Sequence, residues 1–240
     1  MGGTIISICR ESEEPLGIYT AEGRERRSGS FLQKWFHRLP QTALVVICQG
    51  QKEKRDETAV RASGERVVWL LTAFERWFCH DFPANLHPFS ADVVKCYWQS
   101  MIREVLEMGQ PPLDVAALLV HAGQYILCSQ GSFSVYEMTC SGQTCRRLFT
   151  GVERRRLDEE LGISQDEISE LSFRHRKIRE KTLLFLYQKE ICPKDLHSLY
   201  IPFTKINFQG SRFKKGMEEL AERDCCVAVV AADTDGGRRW

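Results

Sequence analysis

The apolar run ALVVIC, residues 43–48, stops at Gln49-Gly50. A hydrophobic strand that ends in a turn is a common place for a catalytic carboxylate or a phosphate-cradling loop, because the strand is rigid and the turn opens on a crevice. Here the position holds a glutamine, which offers a carbonyl oxygen and an amide but no charge. The nearest acids downstream, Asp56 and Glu57, lie beyond a short charged loop, where an amphipathic segment begins.

Other groups with chemical potential do not assemble into a motif. No serine sits in a GxSxG elbow, and GxxxxGK[ST], GxGxxG and HExxH are absent. The six histidines are scattered, and surface or satisfied core roles outweigh catalysis for each. Ten cysteines are many, yet they occupy apolar contexts such as Ile47-Cys48 and Leu127-Cys128, as buried small hydrophobes of a reducing compartment do. No CxxC occurs, and Cys140 and Cys145 have no histidine close by, which argues against zinc. Cys225-Cys226 reads as two residues alternating across a strand, and Asp158-Glu159-Glu160 as an exposed helical face.

The elements that must position these residues follow from periodicity. Residues 16–20 and 43–48 read as strands. From Glu57 to Phe78 the apolar residues Val60, Val67, Leu70, Leu71, Phe74, Trp77 and Phe78 recur at three and four, one face of a helix. A second helix starts at Ser90 as N-cap and stops at Gly109, before Pro111-Pro112. Both helices are expected to pack as an antiparallel pair on the sheet holding 43–48. After them come a strand, a turn at His121 to Gln124, a second strand and a short third, a meander. The charged stretch 152–181, with VERRRLDEELG and FRHRKIREK, reads as a solvated helical face rather than a nucleic-acid grip. Residues 182–188 form a strand, 211–223 a helix, and CCVAVVAA the last strand, expected to pair centrally with 43–48 in one sheet. The tight turn requires antiparallel neighbours, so the fold class is α+β, two mostly antiparallel sheets with helices outside them. One domain over 1–232 with a frayed tail, 233–240, is expected.

Composition removes several function classes. Thirty-three Lys+Arg against 32 Asp+Glu leave a net charge of +1, so no overall field favours nucleic acid or acidic lipid. No apolar run reaches the roughly 18 residues of a membrane span. The start MGGTIISICRESEE lacks the basic opening of a signal peptide, and Ile6 stands where a myristoylation motif wants Ser or Thr. A cytoplasmic protein that binds neither nucleic acid nor membrane is the expectation.

The order of elements resembles the PPM family, the metal-dependent type 2C serine/threonine protein phosphatases. Its members carry a GxxR motif followed by an acidic pair, a strand ending Asp-Gly, two long helices, a hairpin with a Val-Gly-Asp-Ser-Arg turn, a strand ending Ser-Asp-Gly, and Asp-Asn before the last strand. TAEGRERRSGSF (20–31) is similar to the first motif, with Gly23 and Arg26 in its GxxR positions. LVVICQG (44–50) is similar to the Asp-Gly strand and ALLVHAGQYILCSQGSFSVY (117–136) to the hairpin. TLLFLYQK (182–189) is similar to the Ser-Asp-Gly strand and ERDCCVAVV (222–230) to the close. The resemblance implies a four-layer α-β-β-α sandwich and, for an active member, two divalent metal ions.

The departures fall on the chemistry. Ser28, Gly29 and Ser30 replace the acidic pair, Gln49 with Gly50 replaces Asp-Gly, and Ser132 and Gln188 replace two further aspartates; Asp224 alone remains. Two adjacent divalent ions repel unless anionic oxygens neutralise them, and Mg²⁺ or Mn²⁺ demand such hard ligands. The resemblance therefore implies a pseudophosphatase: no catalytic residue, no cofactor, Asp224 the one metal-ligand remnant, and Arg26 a candidate phosphate contact. A phosphoprotein, a kinase or a second copy of the chain would be its partner. Two alternatives are an active, divergent phosphatase using Mn²⁺ or Mg²⁺ with acids recruited from elsewhere, such as Asp56 or Glu57, and a non-enzymatic protein that reached this architecture by convergence.

Overall fold

The computed structural model describes residues 4–8, 16–22, 42–50, 57–82, 90–109, 113–121, 123–131, 133–139, 145–149, 171–178, 182–187, 210–220 and 226–231. Ten strands and three α-helices are described. In order they are β1 (Thr4–Ile8), β2 (Leu16–Glu22), β3 (Ala43–Gly50), α1 (Glu57–Arg76), α2 (Ala91–Glu107), β4 (Leu113–His121), β5 (Gln124–Gln130), β6 (Ser134–Thr139), β7 (Cys145–Phe149), β8 (Ser172–Lys177), β9 (Thr182–Tyr187), α3 (Gly210–Leu220) and β10 (Cys226–Ala231). A π-helical turn, Trp77–Asp81, extends α1. The tail 233–240 lies outside the described residues.

The strands form two five-stranded sheets, β1-β10-β9-β6-β7 and β2-β3-β4-β5-β8, with every pairing antiparallel. The sheets face each other across one apolar layer. Val45, Ile47, Leu118 and Leu127 of one meet Phe133, Val135, Leu184 and Leu186 of the other. β3 and β10 are interior strands of different sheets, which corrects the expectation that they share one. Local patterning marks both as buried strands, but which neighbours a strand takes is decided by the whole sandwich.

The other face of β3, β4 and β5 is covered by α1 and α2. Alternation makes this unavoidable: β3 is apolar at every position from Ala43 to Cys48, so both its faces need cover. The helices meet through Phe74 and Trp98, edge to face at 5.6 Å, and Trp77 and Trp98 at 5.8 Å. Arg66 Nε donates to the Val105 carbonyl at 3.2 Å, so the middle of α1 lies by the end of α2 while Phe74 and Trp77, further along α1 and its π-helical extension, meet Trp98 nearer the start of α2, and the pair is antiparallel. Ser90 caps α2, its hydroxyl accepting the Val93 N–H. The π-helical turn carries Trp77 and Phe78 into the core together, and Phe82 beyond it packs edge-on against His121 at 5.3 Å. α3 lies beside β1 and buries Met217.

Residues 172–177 correct the reading of a helical face. They form β8, an edge strand paired with β5. An edge strand needs apolar residues only where it meets the core, and charges along the rest blunt unwanted pairing, so its pattern imitates a solvated helix.

Candidate functional site

The inter-sheet face of the β2-containing sheet can be read row by row. Ala43, Val120 and Tyr125 form one row, Val45, Leu118 and Leu127 the next, and Ile47, Ala116 and Ser129 the third. Side chains along a strand alternate between faces, and directly paired residues share one. The fourth row is therefore Gln49 opposite Asp114, on the same face. Gln49 is 4% exposed and Asp114 3%. The apolar layer turns polar at this end, through Ser129, Gln49 and Asp114.

The carboxylate of Asp114 lies over the backbone of Gly131, beyond the end of β5. Gly131 has φ +88°, and a β-carbon there would overlap that carboxylate. Glycine is thus required twice, for backbone conformation and for space. The chain then crosses to the second sheet through Phe133, buried between the sheets, and Ser134, which pairs with Tyr187. Cys226, which opens β10, also pairs with Tyr187. The strand ends leading into Gln188 and Asp224 therefore belong to the same end of the sandwich as Gln49 and Asp114.

On the helix side of this end, Cys48 lies near Arg66 of α1, a buried arginine. Burial pushes the Cys48 thiol well above its ordinary range, the Asp114 charge adds to this, and Arg66 opposes it. A nucleophilic cysteine needs the reverse balance, so Cys48 is a core residue. Burial in turn lowers the pKa of Arg66. Ser63 Oγ and Gln130 Oε1 are buried without a hydrogen-bond partner among the described residues.

Of the positions expected from sequence, Gln49 and Gly50 are described. Gly50 closes β3 opposite Leu113, on the helix-facing side. Arg26, Ser132, Gln188 and Asp224 lie outside the described residues, as do Ser28, Gly29, Ser30 and Asp56. Glu57 opens α1. Asp114 was missed. The sequence reading began this strand after it, and a lone acid following Pro111-Pro112 looks like part of a turn. The available signal was parity, since Asp114, Ala116, Leu118 and Val120 share one face of β4.

Two divalent ions do not fit the donors described here. One carboxylate and one neutral amide supply a single negative charge, too little to hold two hard cations side by side. Among the described residues no three His, Cys, Asp or Glu side chains converge.

Neither a protein-family profile nor a curated protein sequence matches the chain. Solved structures do. The serine/threonine phosphatase of S. agalactiae superposes with a TM-score of 0.59 at 12% identity, over 96% of this chain and 99% of that one. Stp1, a serine/threonine phosphatase from Staphylococcus aureus, gives 0.59 at 10% identity, over 96% and 94%. The catalytic domain of the serine/threonine protein phosphatase PstP, solved with two manganese ions, gives 0.57 at 12% identity, over 96% of each chain. At this identity the likeness establishes the fold, and the fold is that of the PPM-type phosphatases.

Proposed function

We propose that this chain is a pseudophosphatase, a PPM-fold protein that acts as a binding or regulatory module in place of hydrolysing phosphoesters. The observation that carries the reading is Gln49, a neutral residue at the buried end of β3, where the sheets' polar end opens and the resemblance calls for a metal-bridging carboxylate. The partner on this reading is a phosphoprotein or a kinase, and Arg26 is the candidate phosphoryl contact at the remnant site. The discriminating experiment is calorimetric titration with Mn²⁺ at neutral pH. At most weak binding is expected; two ions bound stoichiometrically at micromolar affinity would overturn the reading.

The divergent-enzyme alternative has one observation in its favour, the buried Asp114 carboxylate beside Gln49. In that case the charge has moved one strand across the sheet, and Asp114→Asn would abolish metal binding and phosphoester hydrolysis together. Under the pseudophosphatase reading that substitution has no activity to remove.

A further inference from the structure

We draw no further inference here: the strongest candidate, the exposed apolar stripe of Val93, Tyr97 and Met108 that runs along the outer face of α2 to its C-cap, carries nothing because nothing in the structure shows what covers it.

Discussion

Substituting Gln49 by Asp would put two carboxylates directly opposite each other on the buried inter-sheet face. Opposed residues in an antiparallel pair have β-carbons about 5 Å apart, and two unit charges at that distance repel by roughly 3 kcal/mol at an effective dielectric near 20. The introduced carboxyl then titrates roughly two pH units above its ordinary value of about 3.9. A carboxyl whose folded pKa lies above its unfolded pKa costs nothing below the unfolded value and destabilises progressively as pH rises through the folded one. The variant should melt close to the native chain at pH 4 and roughly 6–12 °C below it at pH 7.5, taking about 2–4 °C per kcal/mol for a chain of this size. Gln49→Asp combined with Asp114→Asn restores one charge to the row and should recover most of the loss. Mn²⁺ should raise the melting temperature of the single variant more than that of the double variant, because only the former offers two carboxylates to one ion. Equal melting of Gln49→Asp and the native chain at pH 7.5, with no coupling to Asp114→Asn, would refute the shared row.

Three further outcomes are expected. Gly131→Ala should destabilise by about 2 kcal/mol or more, from strain at φ +88° and overlap with Asp114, and Asp114→Gly in the same chain should relieve the steric part, read by denaturant melts. Ser90→Ala should cost about 1 kcal/mol through loss of the α2 cap, with thermal melting as the measure. Cys48, Cys128 and Tyr125 are all raised, chiefly by burial, so the contribution of each to stability is complete below its unfolded pKa and falls as pH rises above it, past about 10 for the phenol and past about 8.5 for the thiols. Each thiol adds a slope of about 1.4 kcal/mol per pH unit above that point, and alkylation mapped by mass spectrometry should label exposed Cys96 well before Cys48 or Cys128.

Period decided what the sequence made legible. α1 and α2, β3 and the β4-β5 hairpin each carry their signal within a dozen or so residues, and each is where patterning put it. The glutamine at the end of β3 was legible for the same reason. Its partner was not, because the register of Gln49 with Asp114 joins strands separated by both long helices, and no local pattern encodes that pairing. β8 was misread because an edge strand has one neighbour and one demanding face, so Arg174, His175, Arg176 and Lys177 are as acceptable on a strand as on a helix. β1 and β7, five residues each, are too short for alternation to stand out.

The pairing of Gln49 with Asp114 bears on why this end of the sandwich holds together on the proposed reading. A buried row with one carboxylate can be satisfied by neighbouring amides, hydroxyls and backbone N–H groups, whereas a row with two needs a cation or a proton between them. A carboxylate at position 114 would therefore make one at 49 a liability in the absence of metal, and a glutamine at 49 keeps the hydrogen-bonding shape of the side chain without the second charge. Gly131 fits the same logic, since it leaves the space that the Asp114 carboxylate fills over its backbone. The three positions behave as one unit. Restoring aspartate at 49 alone adds charge to a row arranged for a single anion, and the folded chain then tolerates the pair only with a cation or a proton between the two carboxylates.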